Sequence, residues 1–161
     1  MSYMKLIKLL YLADREALLR WGRPITTDRY VSMDHGPVVS NVYEIIRAEP
    51  QAQMGQIWRR FISEPDENYD VSLLSSPAPC ELSAAEELLL REIFTCHGGK
   101  TRWQLRDFCH TLPEWQDPEG SAIPIEYRDI LQAGGKTRAE IAAVEQDLDS
   151  LAVADALLAP A

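Results

Sequence analysis

The chain has 161 residues, of which 46% are hydrophobic and 25% are charged. This composition is typical of a globular domain and excludes disorder of the whole chain. It also excludes a spanning segment, because no run approaches the roughly 20 apolar residues that one needs. Lys5 and Lys8 interrupt the first apolar stretch, so we expect no secretion signal. The cysteines at positions 80, 96 and 109 are too few for a disulfide framework, and we expect a cytoplasmic protein.

Charge is distributed unevenly along the chain. The 16 basic and 25 acidic residues give a net charge of −9. Residues 1–60 hold nine basic and six acidic groups, whereas residues 139–161 hold five acidic groups and no basic one. Strong nonspecific binding of nucleic acid needs several Lys or Arg on one face, so the overall charge argues against it. The N-terminal third still allows a small basic patch, and the acidic segments suit a basic protein partner.

Hydrophobic periodicity predicts a first helix over Tyr3–Trp21, because leucines and alanines recur along one face, and charged residues such as Lys5, Lys8 and Arg15 fall largely off this apolar stripe. Gly22 and Pro24 end this helix. An alternating pattern predicts a strand over residues 29–33, and Ser40 is a candidate N-cap for the next helix. Residues 56–62 and 69–73 are strand candidates that a loop joins into a hairpin, and with residues 29–33 they complete a small antiparallel sheet. Residues 75–79 are typical of a linker within one domain.

The second half of the chain is predicted to be helical. Three capping boxes, in which a Ser or Thr and a Glu or Gln three residues later satisfy backbone amides, mark helix starts at Ser83, Thr101 and Thr137. The first of these helices runs to about residue 97, the second ends by residue 113, and the last reaches about residue 158. Pro124 suits the first position of a further helix over residues 125–132. The predicted fold class is mainly α with a small three-stranded antiparallel β-sheet, in a single compact helical domain.

The pentapeptide Gly-Gly-Lys-Thr-Arg occurs twice, at residues 98–102 and 134–138. Its Gly-Lys-Thr ends the P-loop pattern, but the glycine that this pattern needs five residues before its final glycine is Phe94 in one copy and Ile130 in the other. A helix also precedes each copy, where a P-loop follows a strand. Each copy is better explained as a helix end followed by the N-cap of the next helix.

No residue is predicted to be catalytic, and no metal or cofactor is expected. The Cys-His pairs at 96–97 and 109–110 lack the Cys-x-x-Cys spacing of common zinc sites, and adjacent helical residues point about 100° apart. No nucleophile elbow or cysteine-protease signature is present. Asp14, Asp28 and Asp34 are interpreted as parts of a solvated face. We therefore expect a protein that is not an enzyme.

Two features leave alternatives open. Arg102 and Arg106 lie on one face of a helix that follows a tight turn, as in a DNA recognition helix, but the net charge favours a core helix with a solvated basic face. Trp58, Trp103 and the tyrosines at 11, 30 and 43 are expected to lie mostly in the core, but Trp115 lies in a proline-containing segment in which no periodic face buries it. It either pins this segment to the body of the protein or forms an exposed anchor of a protein interface.

Four ordered segments form a long motif. Lys-Leu-Ile-Lys-Leu-Leu-Tyr-Leu-Ala-Asp-Arg at 5–15 precedes Gly-Arg-Pro-Ile-Thr at 22–26, Asp-Arg-Tyr-Val at 28–31 and His-Gly-Pro-Val at 35–38. Tyr43 follows them, and His110, Pro113 and Trp115 form a second, shorter motif. Together these segments resemble the Panacea domain, the antitoxin domain of SocA-like proteins. The resemblance covers most of residues 4–130.

The resemblance implies a mainly helical domain with a small antiparallel sheet. It also implies an antitoxin of a bacterial or phage toxin–antitoxin pair, with a role in phage defence and a cognate toxin, encoded in the same operon, as its partner. Members of this family neutralise unrelated toxins by direct protein binding, and the domain is not known as an enzyme. The SocA type also delivers its toxin to the ClpXP protease, so a proteolytic adaptor is the alternative function. A DNA-binding autoregulator is the further alternative, although neither nucleic acid nor a membrane is the expected partner.

The resemblance also suggests residue roles. Residues 1–136 are predicted to form the antitoxin domain, and residues 137–161 a C-terminal helix and tail that dock on this domain or on a partner. Four of the candidates for toxin binding, at positions 11, 15, 29 and 30, equally suit a buried network between helix and sheet. The six toxin-binding candidates are Tyr11, Arg15, Arg23, Arg29, Tyr30 and Trp115. The structural candidates are Gly22 and Pro24 in a turn, His35, Gly36 and Pro37 at a strand-to-helix corner, and His110 as a partner of His35.

Overall fold

The computed structural model describes residues 1–47, 53–76 and 82–158. These ranges hold seven helices and three strands. In chain order they are α1 Tyr3–Trp21, β1 Tyr30–Met33, β2 Gly36–Val39, α2 Ser40–Arg47, α3 Gln53–Arg59, α4 Ala84–His97, α5 Arg102–Cys109, β3 Ile123–Ile125, α6 Tyr127–Ala133 and α7 Arg138–Leu158. Within the described ranges, no helix is both long and apolar enough to cross a membrane.

Helix α1 lies at the centre of the molecule, as its broad apolar stripe predicts. It packs against β2 and against α4, α5 and α6. Its end is also as predicted: Gly22 has φ 74°, and its N–H donates to the Leu18 carbonyl at 2.9 Å. A Cβ on Gly22 would lie 3.2 Å from a methyl group of Val144, so both the backbone conformation and the packing favour glycine here. The main core contains side chains from most of these elements: Leu9, Tyr11, Leu12, Leu18, Tyr30, Val39, Leu105, Cys109, Ile125, Ile130 and Leu131.

The three strands form one antiparallel sheet in the order β2-β1-β3. Tyr30 of β1 pairs with Val39 of β2 on one side and with Ile125 of β3 on the other. The predicted fold class is therefore confirmed, but only β1 is among the predicted strands. All four residues of β2 are buried, so this strand shows no alternation in sequence. Strand β3 has only three residues and includes Pro124, which an edge strand tolerates.

The predicted hairpin of residues 56–62 and 69–73 is wrong. Residues 53–59 form α3, and the two predicted strands meet antiparallel at their ends, in a bridge between Ile62 and Leu73 with one backbone hydrogen bond on each side of it. Residues 69–71 instead pair with the N-terminus, where the amide of Tyr3 donates to the carbonyl of Tyr69 at 2.9 Å. A short apolar run fits a helix or a strand equally well, which is why periodicity misassigned residues 56–59. Part of the predicted linker, residues 77–79, lies outside the described residues, as does Cys80.

The helix starts in the second half follow the predicted capping boxes. Ser83 and Thr101 each accept from the amide three residues on, and Thr137 exchanges the same pair of bonds with Glu140. Both Gly-Gly-Lys-Thr-Arg copies are junctions between helices, as expected. The prediction that Pro124 opens a helix over residues 125–132 is wrong, because Pro124 lies in β3 and α6 begins at Tyr127.

Helix α7 docks on the body of the protein through its first half. Ile141, Val144 and Leu148 pack against the main core, and Glu145 forms an ion pair with Arg128 of α6 at 2.7 Å. Beyond this point the helix exposes Leu151, Val153 and Leu157. The C-terminal helix is thus part of the same compact unit over its N-terminal half.

Candidate functional site

Asp14 holds the turn that follows α1. Its buried carboxylate accepts from the amides of Ile25 and Thr26, both at 2.9 Å, and from the Tyr30 hydroxyl at 3.0 Å. The Thr26 hydroxyl donates to the same carboxylate. Burial raises the pKa of Asp14, and the bonds from Thr26, Tyr30 and Ile25 oppose this rise. This single side chain therefore ties α1 to the turn and to the central strand.

Two further buried carboxylates hold other junctions. Asp28 accepts from the amides of Asn41 and Val42 at 2.9 and 3.0 Å, so it caps α2 in place of Ser40, the predicted N-cap. Glu114 accepts from the Tyr11 hydroxyl at 3.0 Å and from Arg15 Nε at 2.6 Å. The interpretation of Asp14 and Asp28 as solvated is wrong, because both are buried. Asp34 is exposed and accepts from the amide of Gly120 at 3.0 Å.

The predicted toxin-binding residues divide into two groups. Tyr11 and Tyr30 are buried and join α1 to the sheet, whereas Arg15 is held by Glu114 and joins α1 to the segment after α5. Because the two tyrosines are buried, they cannot contact a partner directly in this fold. Their assignment to a toxin-binding surface is therefore corrected. Arg23 and Arg29 are exposed, where they face Glu86 at 3.5 Å and Glu44 at 3.9 Å. Arg29 is thus outside the buried network.

The second motif holds the loop after α5. The rings of His110 and Trp115 stack at 4.0 Å, and Trp115 Nε1 donates to the Met33 carbonyl at 3.3 Å. Of the two alternatives for Trp115, the structure therefore supports the one in which it attaches its segment to the body of the protein. The ring of His35 meets that of Trp103 edge-on at 6.0 Å, whereas His110 stacks on Trp115. The expectation that His35 and His110 are partners is therefore wrong.

Gly36 and Pro37 lie in β2, whereas the expectation placed them at a strand-to-helix corner. Gly36 has φ 89°, a backbone conformation that favours glycine, and a Cβ there would lie 3.3 Å from the His110 ring. Pro24 is buried in the turn after α1, as its structural role requires. Within the described residues, no group of three or more His, Cys, Asp or Glu side chains is placed to hold a metal ion.

Six aromatic and arginine side chains cover one end of the molecule. We call this surface the aromatic–arginine face. The ring of Tyr3 meets that of Tyr43 at 6.4 Å and that of Tyr69 at 6.0 Å. The guanidinium of Arg47 lies 5.4 Å from the Tyr43 ring, and Arg102 lies 5.2 Å from the Trp103 ring. The members of this face are Tyr3, Tyr43, Arg47, Tyr69, Arg102 and Trp103.

The two halves of the face are joined through Arg102. Its Nη1 donates to the Asn68 carbonyl at 3.0 Å, beside Tyr69, while its guanidinium lies against Trp103. Burial raises the pKa of the Tyr3 hydroxyl, Tyr43 adds to the rise, and the positive charges of Arg47 and Arg102 oppose it. The contacts themselves run from Arg47 through the three tyrosines to Arg102 and Trp103, which places the six residues on one continuous surface.

The face is accessible, and both of its arginines lie against aromatic rings. Tyr69 is 58% exposed and Trp103 is 44% exposed. Among the ion pairs of the described residues, none includes Arg47 or Arg102, although Arg106 beside them pairs with Asp107 at 2.6 Å. Sequence reasoning interpreted Tyr43 and Trp103 as mostly core. The signal that it missed was an arginine beside or one helical turn from each aromatic residue.

A small cavity opens beside this face, between α1, the β1–β2 hairpin and α2. Its volume is about 160 Å³. Lys8 lies in its wall with 1% of its surface exposed, and its Nζ donates to the Pro37 carbonyl at 2.6 Å. Burial lowers the pKa of Lys8 from 10.5 to about 8. The sequence pattern had placed Lys8 off the apolar stripe, so its burial was not foreseen.

Comparison with known protein families finds a matching family model. The family model described as antitoxin SocA-like, Panacea domain, matches residues 6–116. No curated protein matches the chain. No solved structure matches it either. The matched residues include α1 from Leu6 onward, the β1–β2 hairpin, the three buried carboxylates and all of the aromatic–arginine face except Tyr3. Since the match covers well over half of the chain, this protein belongs to the SocA-like antitoxin family that carries the Panacea domain.

Proposed function

We propose that this protein neutralises a cognate toxin by direct binding through the aromatic–arginine face. The family supports a role in a toxin–antitoxin pair. The observation that carries the choice of surface is the pair Arg47 and Arg102. Each lies on an exposed aromatic cluster, and neither forms an ion pair within the described residues.

The composition of the face supports this choice. Tyr, Trp and Arg are the residues most enriched among the energetic hot spots of protein interfaces. A large ring brings much contact area and loses little conformational freedom on binding. The ring of Tyr3 already contacts the rings of Tyr43 and Tyr69, so the face is organised before a partner arrives.

The charge of the face defines the partner surface. Arg47 and Arg102 favour an acidic region of the toxin, and attraction between opposite charges raises the association rate more than the affinity. The mechanism is occlusion, in which the bound antitoxin covers the toxin's working surface and no turnover takes place. We therefore expect the association rate to fall as salt rises, because screening weakens the attraction.

The test uses the adjacent open reading frames, each expressed alone and then together with this protein. We expect one neighbour to be toxic alone, to be tolerated with the antitoxin, and to co-purify with it. Trp103→Ala and Arg102→Ala should each weaken the purified complex at least tenfold. Trp21→Ala and Arg91→Ala are matched controls, because Trp21 is 39% exposed and Arg91 is exposed, and both lie outside the face.

The outcomes separate the alternatives. Equal effects of the face variants and their controls would overturn the proposed surface. Rescue without a stable complex, together with disappearance of the toxin, would favour a proteolytic adaptor. A salt-dependent mobility shift of promoter DNA would favour an autoregulator, since phosphate contacts weaken steeply with salt.

A further inference from the structure

The cavity beside Lys8 has the size of a single side chain. Sites for drug-sized ligands usually span about 300–1,000 Å³. At about 160 Å³, this cavity is too small for such a ligand, and it opens beside Tyr3 and Tyr43 of the aromatic–arginine face. A group that enters it must therefore be small, and it can be attached to a partner that covers the face.

The wall of the cavity favours an aromatic ring. Tyr3, His35 and Tyr43 contribute rings, and Met4 and Met33 contribute thioethers. Aromatic pairs prefer edge or offset contacts, and sulfur packs well against ring edges. Methionine is also flexible, so the wall can adjust to rings of somewhat different size.

The charges at the cavity support the same occupant. The ammonium of Lys8 has a backbone carbonyl as its acceptor, and no ion pair of the described residues includes it. A cation near a ring face is stabilised by the ring's electron density. Asp34, in the wall, makes a free anion a poor occupant, and Arg47 beside Tyr43 favours acidic residues around the inserted ring.

We propose that one aromatic side chain of the toxin, flanked by acidic residues, inserts into the cavity formed by Tyr3, Met4, Lys8, Met33, His35 and Tyr43. This inference rests on the proposed function, because it names the anchor by which the partner engages the same surface. The ring stacks among the aromatic and methionine side chains, while its acidic neighbours face Arg47 and Arg102.

The first test needs no partner. In protein with ¹³C-labelled methionine and isoleucine methyl groups, p-cresol and indole are titrated, and 3-methylbutan-1-ol serves as the aliphatic comparison. We expect saturable shifts of Met4, Met33 and Ile7, which line the cavity, and none of Ile141, which lies in α7 and packs against the main core. The aromatic probes should bind at least fivefold more tightly than the alcohol. The absence of saturable shifts, or equal binding of the alcohol, would overturn the inference.

The second test uses the purified complex. Met4→Trp fills the cavity from within and should weaken toxin binding at least tenfold, whereas Met4→Leu, of similar size, should change it less than threefold. Melting temperatures verify folding, and Met33→Phe replaces Met4→Trp if that variant is unfolded. If Trp103→Ala weakens the complex but the cavity-filling variants Met4→Trp and Met33→Phe do not, the proposed binding surface is supported and the proposed aromatic anchor is rejected. If none of the three variants weakens it, the proposed function fails as well.

Discussion

Two regions of the molecule contain the same kinds of side chain and use them differently. On the buried side, Tyr11 and Arg15 meet Glu114, and Tyr30 meets Asp14. On the aromatic–arginine face, Arg47 and Arg102 lie against rings and have no ion pair among the described residues. The difference shows that a buried carboxylate holds tyrosine and arginine side chains inside the fold, where they stabilise it. Without one, the same residue types are available to a partner.

The largest effect should come from removing the carboxylate of Asp14. Asp14→Ala leaves two amides and two hydroxyl groups without their acceptor, and each unsatisfied buried group costs about 1–3 kcal/mol. We expect the free energy of unfolding in urea to fall by about 4 kcal/mol. Asp34→Ala, which removes an exposed carboxylate, should cost less than about 1 kcal/mol. Equal costs would mean that burial does not distinguish the two regions.

Glu114→Ala should have the next largest effect. It leaves the Tyr11 hydroxyl buried and Arg15 without its counter-ion, and breaking a buried pair typically costs about 3–5 kcal/mol. Because Arg15 is partly exposed, we expect about 3 kcal/mol in urea unfolding. Glu92→Ala breaks the exposed pair with Arg20 and should cost less than about 1 kcal/mol. A cost for Glu114→Ala within the range of this control would contradict the account.

Lys8 should give stability a specific dependence on pH. Its pKa of about 8 in the folded protein lies below its ordinary value of 10.5, so between these values the unfolded chain binds a proton that the folded chain has released. Stability therefore rises with pH in this window, by about 1 kcal/mol between pH 8 and pH 9. Above pH 9 the raised pKa of Cys109, about 11, acts in the opposite direction. Lys8→Met should abolish this rise in the free energy of unfolding, as measured in urea at pH 8 and at pH 9. If the rise persists in the variant, a group other than Lys8 causes it.

The smallest effect on stability is expected at the exposed face. Arg102→Ala removes a contact with an exposed ring and one bond to a backbone carbonyl, so unfolding should change by less than about 0.5 kcal/mol. Stability and toxin affinity should therefore separate at this residue, with a large loss in affinity alone. If Arg102→Ala destabilised the protein as much as Glu114→Ala, the face would be part of the fold and the contrast between the two regions would fail.

Sequence patterns predicted the helices better than the sheet. The apolar stripe of α1 and the capping boxes at Ser83, Thr101 and Thr137 are local signals, and the structure follows them. Strand β3 has no such signal, because its pairing with Tyr30 depends on a contact about 95 residues away in the chain. The fold class was therefore predictable, while the identity of two of the three strands was not.

The candidate site was less predictable for a related reason. Residue type suggests that Tyr and Arg bind partners, but it does not reveal which of them meet a carboxylate inside the fold. Glu114 lies 99 positions from Arg15, and only the folded chain brings them together. Trp103 was expected to be buried, since most tryptophans are; its exposure follows from the face that α5 turns inward, where Leu105 and Cys109 lie.

The order of the sheet has a consequence for synthesis of the chain. Strand β1 is the central strand, yet its second neighbour, β3, is made about 90 residues later. At ribosomal rates of about 5–20 residues per second, β1 waits roughly 5–20 s with one edge unpaired. An unpaired edge is a template for association with other chains. The nascent chain is therefore prone to association until Ile123–Ile125 emerge, and truncation before this point leaves the edge of β1 unpaired.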